Sequence, residues 1–203
     1  MLVLAVLSAG AATLALIDGP ATTVTRAASN PAATSPATTD PAASGDQAET
    51  VLPDREVATP ASVQIPAIGV DTGMEQLRLA ADGSLSTPRN PSRAGWFVGG
   101  PRPGEVGPAV VVGHRDSRDG PAVFWRLSEL RRGDRIVVAG ADGTGTAFAV
   151  RRVTLVPQAE FPTELVYAPT PARALRLITC GGDYDHLKGR YKSNVIVFAE
   201  AVG

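Results

Sequence analysis

Residues 175–182 read Leu175-Arg176-Leu177-Ile178-Thr179-Cys180-Gly181-Gly182. Through Cys180 the side chains alternate, with Leu175, Leu177 and Thr179 on one side and Arg176, Ile178 and Cys180 on the other, the period of a β-strand. The glycine pair is expected to end the strand at once, which sets Cys180 at a strand end beside a loop. Similar short β-like runs recur at 62–65, 74–79, 109–112, 135–139, 146–156 and 194–201, separated by Gly and Pro. Residues 141–145 (Ala-Asp-Gly-Thr-Gly) read as the hairpin loop between two of them. Only 122–130 (AVFWRLSEL) has helix-like spacing, and it is short. The expected fold is mostly β, a closed or nearly closed barrel with one or two short helices.

Upstream of 59 the chain changes character. Met1 to Ile17 carries no charge and sits at the lower length limit for a membrane-spanning helix, or forms the core of a signal peptide. Either reading exports the rest of the chain, and a retained anchor is preferred over cleavage. No Lys or Arg precedes this run while Arg26 lies beyond it, so the true start is expected upstream. Residues 18–58 are dominated by Ala, Thr, Pro, Ser and Asp, with too little apolar surface to offset ordering entropy, and read as a disordered tether. The expected organisation is therefore anchor or signal at 1–17, tether at 18–58 and one folded domain at 59–203, displayed outside the cell membrane.

Lys and Arg (19) nearly balance Asp and Glu (20), so charge gives no reason to expect nucleic acid as a partner. With one cysteine in the chain no intrachain disulfide is possible. A free thiol is often just a small buried hydrophobe, but an unpaired one in an exported domain, at a strand end, is a candidate nucleophile. His114 comes directly after the apolar run Ala109-Val110-Val111-Val112 and Gly113, again where a buried strand opens into a polar loop. An unperturbed thiol is mostly protonated at neutral pH, and an imidazole supplies the proton acceptor it needs. In Lys188-Gly189-Arg190-Tyr191-Lys192 three cations alternate before the last strand. Arg190, with a fork of donors, suits a developing oxyanion better than an ammonium does, and Lys192 is its rival. With two histidines and one cysteine, zinc is not expected, and Asp183 and Asp185 read as loop residues rather than a calcium site. No cofactor is expected.

These residues resemble the sortase family, in particular its class E and F enzymes from high-GC Gram-positive bacteria. The resemblance runs from about 62 to 201 and rests on ordered blocks: Pro66-Ala67-Ile68-Gly69-Val70, Gly95-Trp96-Phe97, Pro103-Gly104-Glu105-Val106-Gly107-Pro108, Gly113-His114-Arg115-Asp116-Ser117, Gly120-Pro121-Ala122-Val123-Phe124, Leu177-Ile178-Thr179-Cys180-Gly181-Gly182 and Tyr191-Lys192-Ser193-Asn194-Val195-Ile196-Val197. It implies an eight-stranded barrel in which Cys180 attacks the Thr–Gly carbonyl of an LPXTG-like sorting signal on a secreted protein. It further implies that His114 is the general acid/base and that an arginine near the last strand clamps the oxyanion. An amine of a peptidoglycan precursor or a pilin would then resolve the thioester. The family's Thr-Leu-X-Thr-Cys signature begins here with Arg176, and many class F relatives have arginine where this chain has Lys192. The competing reading is a non-catalytic exported barrel that binds or displays wall components, with Cys180 merely buried.

Overall fold

The computed structural model describes residues 57–203, and the expected anchor and most of the expected tether lie outside the described residues. The described residues form ten strands: β1 Pro60–Ile65, β2 Val70–Leu77, β3 Ala94–Phe97, β4 Gly107–Gly113, β5 Asp116–Ser117, β6 Gly120–Pro121, β7 Arg135–Gly140, β8 Gly145–Pro157, β9 Arg173–Asp185 and β10 Arg190–Ala201. Eight of them close a barrel in the order β1-β2-β3-β4-β9-β10-β8-β7, while β5 and β6 form a separate small hairpin. The expected barrel is present. Among the described residues no helix is long and apolar enough to cross a membrane.

Local chemistry explains the elements. At the β1–β2 corner Pro66 opens a single 3-10 turn and Gly69 closes it with φ 72, a left-handed geometry that glycine adopts without penalty. Every residue of β4 is buried, because it pairs in parallel with β9 and both of its faces are covered. One face, with Val111, Leu175, Leu177, Val195 and Val197, fills the barrel together with Phe148 and Ile136. The other, with Val110, Val112, Ile178, Ile196 and Phe198, packs under Val166 of the five-residue helix α1, Thr163–Tyr167. Each such fully buried aliphatic or aromatic side chain stabilises the fold by roughly 1.5–3 kcal/mol.

Four expectations need correction. The strand expected at 74–79 begins at Val70 and stops at Leu77, after which the chain leaves the sheet. β3 escaped the sequence reading because it is four residues long and contains a glycine. The expected helix at 122–130 is a 3-10 turn at Leu127–Glu129: Phe124, Leu127 and Leu130 are buried at a spacing of three, and Leu127 N and Leu130 N bond to the carbonyls of Phe124 and Leu127. Among the described residues the helices are thus one short α-helix and three 3-10 turns. Last, Gly181 and Gly182 do not end β9, which continues to Asp185 through a register shift against β10. Gly182, at φ 68, absorbs the extra residue as a bulge.

Candidate active site

Cys180 is accordingly not at the end of its own strand but at the point where that strand loses a neighbour. The last β4–β9 pair is Val112↔Ile178, so beyond it one edge of β9 is open while the other still pairs with β10 as far as Arg190↔Asp185. Thr179, buried, points to the barrel side and donates its Oγ1–H to the carbonyl of Gly113 at 2.8 Å. That bond ties the end of β4 to the residue before the thiol, and His114 is the next residue after Gly113.

His114 is held by its ring and its backbone. Its Nε2 lies 2.8 Å from the carbonyl oxygen of Pro88. A carbonyl only accepts, so Nε2 carries a proton toward Pro88 and Nδ1 is the ring nitrogen left to exchange a proton with the thiol. The His114 carbonyl accepts from Phe124 N at 2.9 Å and that of Arg115 from Ala122 N at 2.9 Å, which folds the β5–β6 hairpin beside the thiol.

His114, Cys180 and Arg190 line one cavity of about 320 Å³, together with Thr87, Arg115, Tyr184 and Tyr191. Lys192 does not line it. It lines a neighbouring cavity with Gln158, Asp185 and Lys188, which Arg190 also borders. All three alternating cations therefore border that second cavity, and of the three Arg190 alone also lines the cavity of Cys180 and His114.

The cavity wall joins the histidine loop to the start of β10. Tyr191 donates its hydroxyl hydrogen to the carboxylate of Asp116. The Arg115 guanidinium lies 4.8 Å from the Trp125 ring centre and 5.3 Å from that of Tyr191. Tyr184 meets Tyr191 edge-on at 5.2 Å, and His186 meets Tyr184 at 5.1 Å. Burial, then the Asp116 partner, pushes the Tyr191 phenol up. Burial also pushes the Cys180 thiol up; Asp116 adds to the effect and Arg115 opposes it. The thiol is thus protonated at neutral pH and needs a proton acceptor to act as a nucleophile.

Asp185, a conceivable metal ligand by residue type, accepts the turn amides of Leu187 and Lys188 at 3.0 and 3.1 Å. Sequence reasoning missed the support around the pair: Thr179, Arg115, Asp116 and Tyr191. Arg115 and Asp116 stand in the run directly after His114, but their pairing with a tyrosine on β10 is a product of barrel closure.

A model of the sortase domain matches residues 63–202. Solved structures of similar fold include sortase A from Corynebacterium diphtheriae, 23% identical with a TM-score of 0.56 over 73% of this chain and 62% of that one. Sortase C-1 from Actinomyces oris is also 23% identical, with a TM-score of 0.56 over 70% of this chain and 73% of that one. Sortase C from Streptococcus pneumoniae is 22% identical, with a TM-score of 0.56 over 73% and 71%. At these identities the structures establish the fold, and this chain spans 62% of the length of the Corynebacterium sortase A chain. No curated protein matches the sequence. The domain match covers most of the chain and the barrel is that of the solved sortases: the chain belongs to the sortase family.

Proposed function

We propose that the chain is a cysteine transpeptidase that cleaves an LPXTG-like sorting signal between Thr and Gly and transfers the secreted protein that bears it to an amine. The observation that carries this reading is the single cavity lined by Cys180, His114 and Arg190 at the open edge of β9, in a chain with a sortase domain. Cys180 Sγ attacks the Thr carbonyl carbon while the thiol proton passes to Nδ1 of His114. The negative charge that develops on the carbonyl oxygen is met by the Arg190 guanidinium. The C–N bond then breaks, and the Gly amine leaves with the proton from His114, so that a thioester remains on Cys180. An incoming amine attacks that thioester, loses a proton to His114, and expels the sulfur, which recovers its proton.

The ordered sequence blocks resemble those of class E and F enzymes, and on that resemblance we assign the chain to that group. The acceptor amine belongs to a peptidoglycan precursor or a pilin. The enzyme is anchored by Met1 to Ile17 in the cell membrane, with its barrel outside on the 18–58 tether. No metal or organic cofactor enters the reaction, and the chain uses no nucleic acid.

The test is incubation of the full chain with LPXTG-like peptides and a free amine. The wild type releases the Gly-containing fragment and forms the amide, and Cys180→Ala and His114→Ala do neither. If Cys180→Ala turns over peptide, or if native Cys180 resists a small alkylating reagent and its loss changes no activity, the chain is the non-catalytic barrel instead.

A further inference from the structure

Two polar side chains are fully buried among the described residues, Thr179 and Asn194, and both adjoin Cys180. Thr179 is satisfied by the Gly113 carbonyl. Asn194 is 1% exposed, and neither its Oδ1 nor its Nδ2 has a hydrogen-bond partner among the described residues.

Its surroundings explain neither the amide nor its burial. In the barrel register Asn194 stands opposite Val156 on β8 and opposite Cys180 on β9. Along its own strand the next residue on the same face is Ile196, part of the apolar cluster with Val112 and Ile178. A leucine would fit this environment without an orphaned amide, since replacing an unsatisfied buried polar group with an apolar one of similar size is neutral or stabilising. A residue that breaks the local rule for stability is expected where chemistry requires it.

Of its two cross-strand neighbours, Val156 and Cys180, the thiol is the one that can use an amide donor. Residues directly opposite on antiparallel strands share a face, with Cβ atoms about 4.5–5.5 Å apart, which brings an asparagine amide within reach of a cysteine sulfur. We propose that Asn194 is a positioning residue for the nucleophile, its Nδ2–H donating to Cys180 Sγ once the sulfur has lost its proton. The inference rests on the nucleophilic role proposed for Cys180. It also answers an electrostatic difficulty, because burial and the nearby Asp116 oppose the thiolate and the Arg115 cation only partly offsets them.

Since Cys180 is the sole cysteine, alkylation of the full chain by iodoacetamide reads one site, with no sorting peptide present. Asn194→Leu should melt at or above the wild-type temperature, while its alkylation profile shifts to higher pH by about one unit, roughly a tenfold slower reaction at neutral pH. Peptide turnover should fall by a similar factor through kcat, with KM little changed. Asn194→Asp keeps the shape, replaces the donor with an acceptor, and should shift the profile in the same direction; it serves as the readout if the leucine variant does not fold. A folded variant with the wild-type alkylation profile overturns the role of Asn194. Because that profile is measured without substrate, the result is separate from whether the chain acts on sorting signals.

Discussion

Replacement of Thr179 by valine tests how the active edge of the barrel is held together. Valine matches threonine in shape, so the change removes one hydroxyl and little packing. What is lost is the 2.8 Å bond from Oγ1 to the Gly113 carbonyl, in a position that is 1% exposed. A buried bond of this kind contributes about 0.5–1.5 kcal/mol net, and an orphaned acceptor raises the cost to about 1–3 kcal/mol. For a domain of this size that lowers the melting temperature by roughly 3–10 °C. The functional loss should exceed the loss of stability, because the bond joins the residue before Cys180 to the residue before His114. A shift of about 1 Å between reacting groups costs on the order of 100-fold in rate. Thr179→Ser keeps the hydroxyl and loses one methyl, about 0.8 kcal/mol, and should keep turnover within a few-fold. Thermal unfolding and peptide turnover, measured side by side on both variants, decide the matter. Equal damage to turnover in the two variants, or an undisturbed Thr179→Val, would refute the role given to this bond.

Arg190→Ala should cost turnover far more than Lys192→Ala, since only Arg190 borders the cavity that holds Cys180 and His114; a larger loss in Lys192→Ala would move the oxyanion role to the lysine. Gly182→Ala forces a side chain to φ 68 and brings its Cβ to 2.9 Å from Ser193 Oγ, so denaturant titration should show a loss of at least about 1–2 kcal/mol from backbone strain alone. The raised Cys180 thiol gives a pH signature. The unfolded chain loses the thiol proton first, near its ordinary value of about 8.5, so folding stability should decline as pH rises from there through the higher folded value. Unfolding free energies measured across that range should show this decline in the wild type and lack it in Cys180→Ala.

Much of this was legible in the sequence, for a reason visible in particular strands. β4 and β9 are covered on both faces or alternate cleanly, so their apolar patterns announced strands, and Cys180 and His114 stood out as reactive side chains where those patterns met polar loops. The barrel brings them to one cavity, with Arg190. What was not legible depends on contacts between distant segments. The bulge at Gly182 carries β9 past its two glycines, which composition alone marks as a stop. The spacing of Phe124, Leu127 and Leu130 fits a three-residue period as well as a helical one, and burial selects the former. The lock between Tyr191 and Asp116, and the unused hydrogen-bonding capacity of Asn194 opposite the thiol, exist only once β10 is seated against β9.

Everything proposed for the site turns on Cys180 forming the covalent intermediate. Mass spectrometry of the full chain after brief exposure to an LPXTG-like peptide, quenched in acid before an amine is added, tests it directly. The expected result is a mass increase equal to the acyl fragment ending in Thr, mapped to Cys180, released on addition of an amine, and absent from Cys180→Ala. Cleavage of the peptide with no adduct on Cys180, or with an adduct on another residue, would contradict it.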